Sequence, residues 1–138
     1  KIDNISNITM GDFNIHSDSI LGHTTGDSHF FLGDYNHNGY LDLYYVKTSC
    51  PEFFEVHILS GADNYKSWLL HTQTPLKEGD SCWDYCLGDF NHDGCLDIFC
   101  IEKNKTGSNS SEVHILSGKN DFKTYLLQTG TKQHETND

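Results

Sequence analysis

Two nine-residue stretches hold the side chains of this chain most suited to chemistry. They are Asp34-Tyr35-Asn36-His37-Asn38-Gly39-Tyr40-Leu41-Asp42 and Asp89-Phe90-Asn91-His92-Asp93-Gly94-Cys95-Leu96-Asp97. Each puts an oxygen-bearing side chain at its first, third, fifth and ninth positions and a glycine at its sixth. Calcium takes six to eight hard oxygen ligands, and a short loop supplies them when alternate residues turn inward. Gly39 and Gly94 then allow the sharp turn that returns the ninth position to the ion. At the twelfth position, where an EF-hand needs a bidentate Glu, stand Tyr45 and Cys100, so Asp42 and Asp97 must close the shell. The chemistry implied is the holding of two calcium ions.

The elements around these loops repeat with them. The loops lie 55 residues apart (89 minus 34). Downstream, Val56-His57-Ile58-Leu59-Ser60-Gly61 returns as Val113-His114-Ile115-Leu116-Ser117-Gly118, at an offset of 57 (113 minus 56). Ser67 to Thr72 returns as Thr124 to Thr129 at that second offset. The two extra residues fall in the polar stretch Lys103 to Ser111, which reads as an exposed turn. Four short apolar segments make up the second unit: Trp83 to Leu87, Leu96 to Ile101, Glu112 to Leu116 and Thr124 to Gln128. They are rich in aromatic and β-branched residues, are bounded by Gly, Asn, Asp and Ser, and show no helical period. Four strands per repeat of this length is the spacing of a β-propeller blade.

The expected fold is therefore all-β, of four-stranded antiparallel propeller blades. Residues 30-81 form one blade around loop 34-42, and residues 82-138 another around loop 89-97. Residues 1-29 form a partial, degenerate blade: Ile8 to Asn14 resembles Tyr85 to Asn91, but the calcium spacing then fails. Thr131 to Asp138 reads as a linker toward a next blade.

Bulk properties narrow the function. Nine basic against 20 acidic residues give a formal net charge of −11, which disfavours nucleic acid as a partner. No apolar run reaches the ~18 residues of a membrane span. The chain opens at Lys1, as expected of a processed product. Sequons at Asn4, Asn7, Asn104 and Asn109 point to a secreted glycoprotein. The five cysteines, Cys50, Cys82, Cys86, Cys95 and Cys100, show no zinc pattern and read as structural, buried or disulfide-bonded; the odd count leaves at least one free or paired between chains.

Leu87 to Phe99, followed by Ser-Glu-Val-His-Ile-Leu-Ser-Gly and a Tyr-Leu-Leu-Gln-Thr strand, resembles the FG-GAP/VCBS repeats. Those repeats build calcium-bearing β-propellers such as integrin α-chain heads and propeller lectins. The resemblance runs from about Phe30 to Thr131. It implies as calcium ligands Asp34, Asn36, Asn38, the carbonyl of Tyr40 and Asp42, and in the second loop Asp89, Asn91, Asp93, the carbonyl of Cys95 and Asp97. Asn38 stands where the second loop has Asp93, so the first site carries two carboxylates against three and should bind more weakly.

The function expected is a secreted, calcium-stabilised binding module, a lectin or adhesion protein that takes a glycan or glycoprotein. Trp68, Trp83 and Tyr125 are candidates to stack on sugar faces, with His71 and Asp84 to orient them. His57 and His114, in equivalent places, read as structural. Two blades and a part do not close a ring of four to eight, so a homo-oligomer, a dimer or trimer, is expected to complete it. A structural or protein-binding module is the alternative. An enzyme is less favoured: the chain has no nucleophile elbow, HExxH or P-loop, and its best-spaced acids belong to the loops.

Overall fold

The computed structural model describes residues 18–21, 28–48, 53–77 and 82–136. Within them the chain forms eight strands. Strands β1 (Ser28–Gly33), β2 (Asp42–Lys47), β3 (Phe53–Leu59) and β4 (Trp68–Lys77) make one sheet. Strands β5 (Trp83–Gly88), β6 (Asp97–Glu102), β7 (Ser110–Leu116) and β8 (Tyr125–His134) make the second. Both sheets are antiparallel and their strands follow chain order. The all-β expectation, with four strands in each unit, matches this architecture.

Alternation along each strand decides which sheet face is apolar. Tyr44 and Val46 of β2 pair with Ile58 and Val56 of β3, and all four are buried on one face. That face meets the opposite kind of face on the second sheet, which carries Trp83, Tyr85, Leu87, Ile98 and Cys100. Phe54 packs edge-on to both Trp83 and Tyr85, at ring separations of 5.6 and 5.7 Å. Tyr44 meets the fully buried Phe122 at 6.2 Å. One core therefore spans both sheets. The contact joins unlike surfaces, back of the first sheet to front of the second.

Each unit leaves one face without that cover. On the front of the first sheet Phe30 stacks on its cross-strand partner Tyr45 at 5.2 Å, while Phe30 and Leu32 are exposed. On the back of the second sheet Phe99 and Ile101, equivalent to the buried Tyr44 and Val46, are half-buried.

Three details depart from the sequence reading. Strand β8 runs to His134, which pairs with Ser110, so Thr131 to His134 is strand and not linker. Ser110 and Ser111 belong to β7 and not to the turn before it. Short 3-10 turns, Gly61–Asp63 and Gly118–Asn120, begin at the Gly of each Ser-Gly pair. The partial N-terminal unit lies almost wholly outside the described residues; Ile20 donates its N–H to the carbonyl of Tyr65, at 3.2 Å.

Candidate metal loops and ring clusters

The two loops connect β1 to β2 and β5 to β6, and they share one set of hydrogen bonds. Asp34 accepts the N–H groups of Asn38 and Gly39 at 3.0 and 2.8 Å. Asp89 accepts those of Asp93 and Gly94 at 3.1 and 2.9 Å. The fifth-position side chain bonds the N–H two residues on: Asn38 takes Tyr40, and Asp93 takes Cys95. Gly39 and Gly94 sit at φ of 86° and 87°, with nothing within 4 Å of where a Cβ would lie. Their role is the positive φ, not space. His37 and His92 also take positive φ, 59° in each.

The ninth positions do something spacing alone does not reveal. Asp42 is fully buried; its Oδ2 accepts the N–H of Tyr35 at 2.9 Å, and its Oδ1 accepts that of Gly61, also at 2.9 Å. Asp97 repeats this with Phe90 and Gly118. Each carboxylate thus ties the start of its loop to the turn after the third strand. A Cβ at Gly61 would stand 1.9 Å from the carbonyl oxygen of Leu41, and one at Gly118 would stand 1.8 Å from that of Leu96. The repeated Ser-Gly pair is explained by this approach.

The donor sets fit calcium. The candidate ligand positions of each loop supply hard oxygens, beside the ring nitrogens of His37 and His92 and the thiol of Cys95, and a carboxylate has about four acceptor sites, of which the N–H bonds above use two at Asp34, Asp42, Asp89 and Asp97. Asn36, Asn38 and Asn91 are exposed at the loop surface. The Cys95 N–H is the main cause that holds the Asp93 carboxyl below its usual pKa.

The ring-bearing candidates divide into two clusters. On the front of the first sheet, Trp68 lies against His71, centroids 4.2 Å apart, and His71 Nδ1 is 2.7 Å from His57 Nδ1. His57 Nε2 is 3.2 Å from Glu55 Oε2. Burial keeps the His57 pKa below its ordinary 6.5 in spite of Glu55. In the second unit, Trp83 and Tyr125 both pack on the buried His114, at 5.6 and 6.2 Å, and Trp83 also faces Phe54. Asp84 is exposed and 3.3 Å from Lys103 Nζ. His57 and His114, read as structural, contact side chains: His114 Nδ1 meets the Gln128 amide at 3.0 Å, and its Nε2 is buried without a hydrogen bond.

Between the loops lies a groove of about 230 Å³, lined by Tyr35, His37, Cys95, Leu96, Gly118, Lys119 and Asp121. Tyr35 crosses the seam to donate its hydroxyl to Asp121 Oδ1 at 2.5 Å, and burial first, then Asp121, raises its pKa well above the ordinary tyrosine value.

Asn109 is exposed in a turn, whereas Asn104 is buried and accepts the Cys82 N–H at 2.9 Å. Asn4 and Asn7 lie outside the described residues. Cys82, Cys86, Cys95 and Cys100 carry free thiols; Cys50 is outside the described residues. Comparison with protein-family models, with curated proteins and with solved structures found no match.

Proposed function

We propose that this chain is a calcium-stabilised, non-catalytic binding module of the propeller type, with FG-GAP/VCBS-like units, secreted, and directed at a glycan or glycoprotein. The observation that carries the reading is the duplicate loop. Two stretches 55 residues apart adopt the same hydrogen-bonded form, each with hard oxygens at its candidate ligand positions. Bound calcium would offset the mutual repulsion of the loop carboxylates and brace the first two strands of each unit. Asp34, Asn36, Asn38, Asp42 and the Tyr40 carbonyl would hold one ion; Asp89, Asn91, Asp93, Asp97 and the Cys95 carbonyl would hold the other.

The front-to-back contact of the sheets supports a ring. Head-to-tail contacts between unlike faces either close or grow without limit. Exposed Phe30 and Leu32 on one end, and half-buried Phe99 and Ile101 on the other, are the faces that neighbouring units would cover. Further units from other copies, as a dimer or trimer, would complete the circle. For the ligand, the groove beside Tyr35, His37, Lys119 and Asp121 combines a ring face with charged hydrogen-bonding groups, at a volume below that of ordinary drug-sized pockets. That suits a single polar ring such as a sugar.

Protein binding is the second reading, favoured by the exposed Phe30, Leu32, Tyr40 and Leu41. A glycan array on calcium-loaded protein separates the two: saturable binding of a defined glycan, without hydrolysis, supports the first. Light scattering tests the ring, and a stable monomer would rule out the oligomer.

A further inference from the structure

The two units differ at one cross-strand pair in a way that changes local charge. In the first, Lys47 stands opposite Glu55, with Nζ 3.9 Å from Oε2, and His57 lies beside that same oxygen. In the second, the register sets Glu102 opposite Glu112. A lysine has been exchanged for a carboxylate. Like charges directly opposite each other on an antiparallel pair repel. These two side chains are only 15% and 17% exposed, where solvent screens poorly.

His114 stands between them. Its Nε2 is 3.3 Å from Glu112 Oε2 and 3.8 Å from Glu102 Oε2. The residue is 8% exposed, and Nε2 makes no hydrogen bond, so these are ion-pair distances without a donor in line. One ligand atom from each of the three residues lies within 4.8 Å of the others. We propose that Glu102, Glu112 and His114 form a site for a late first-row divalent cation, zinc foremost.

The His114–Glu112 distance of 3.3 Å already suits such an ion, and Glu102, 3.8 Å from His114 Nε2, would close in by about half an ångström on binding it. Two ligand atoms each about 2.0–2.1 Å from a tetrahedral centre stand roughly 3.3 Å apart. An imidazole with two carboxylates matches zinc, whereas calcium prefers oxygen throughout. Surrounding groups orient the ligands. Ser108 donates its N–H to Glu112 Oε1 at 3.1 Å and leaves Oε2 to face His114. Gln128 Nε2 lies 3.0 Å from His114 Nδ1 and donates to it, which puts the ring proton of the metal-free protein on Nε2. Zinc binding at Nε2 therefore requires that the proton move to Nδ1 and that the amide turn its oxygen to that atom. Trp83 walls the inner side. Three protein ligands leave a fourth position for water or an incoming donor. The site shares no residue with the two loops and does not rest on the calcium reading.

The test is zinc titration of the intact, calcium-saturated chain by calorimetry. Glu102→Lys copies the first unit and should fold; Glu102→Gln serves if it does not. One equivalent of zinc is expected, weakened roughly tenfold or more by either variant and by His114→Gln. In a Trp68→Phe background, cobalt(II) should quench Trp83 in a single saturable step that zinc reverses. No saturable uptake at millimolar zinc, or uptake that the Glu102 and His114 variants leave unchanged, would overturn the proposal.

Discussion

Asp42 reaches across its sheet to the backbone N–H of Gly61, 2.9 Å from its Oδ1, in the turn that follows the third strand. Asp97 and Gly118 repeat the link. The glycine is required because the chain there passes so close to Leu41 that a methyl group would strike its carbonyl oxygen. Gly61→Ala and Gly118→Ala must therefore push two backbone segments apart and stretch a bond to a buried charge. Each should cost about 3 kcal/mol or more, read as a lower urea midpoint with little change in slope.

On the calcium reading proposed above, unequal charge should make the two loops unequal sites. The first offers Asp34 and Asp42, the second Asp89, Asp93 and Asp97. Calorimetry with calcium should resolve a weaker and a tighter step. Asn38→Asp should tighten the weak step and Asp93→Asn should loosen the tight one, bringing the two together. Chelation should lower the melting temperature, since an ion at about 100 times its Kd adds roughly 2.7 kcal/mol to the folded state.

The seam between the sheets should be the most sensitive place in the core. Phe122 is fully buried against Tyr44, and Phe122→Ala should cost roughly 3–5 kcal/mol. Tyr35→Phe removes only the hydroxyl that donates to Asp121, and should cost about 1.5–3 kcal/mol. Both are measured by urea unfolding.

Acid should act through His57. Burial lowers its pKa in the folded chain, with Glu55 opposing and His71 and Lys47 reinforcing. The folded state then binds a proton less readily than the unfolded one. The stability this contributes is full above the ordinary value of 6.5 and is lost as pH falls through the lower folded value. Urea midpoints should drop as pH falls from 6.5 toward the lower folded value, and His57→Gln should flatten the drop.

Of the two sequons in the second unit, Asn109 should accept a glycan and Asn104 should not, because Asn104 is buried and holds the Cys82 N–H. Mass spectrometry of glycopeptides from the chain expressed through a eukaryotic secretory pathway reads this directly. Asn104→Ala should cost about 1–3 kcal/mol by leaving that donor unpaired.

The strands and loops were legible because each follows from local pattern. Alternating β-branched and aromatic residues gave the strands, and the positions of Asp and Gly gave the turns. The Ser-Gly pair was visible as a repeat but not as a partner of Asp42, since that contact joins residues 19 apart. Tyr35 with Asp121 was less accessible still, at a separation of 86. The extent of β8 was misread because Thr131 to His134 is polar; its pairing with β7 depends on backbone hydrogen bonds and not on an apolar face. The change from Lys47 to Glu102 gains meaning only once register sets each opposite a glutamate.

Because Trp83 and Tyr85 of one sheet meet Phe54 of the other, the seam has a direction. The outer faces do not repeat it: Ser111 stands where the seam has Phe54, and Ser28 and Phe30 stand where it has Trp83 and Tyr85. The two sheets are thus keyed to one another, and any further neighbour would have to be recognised through a different set of side chains.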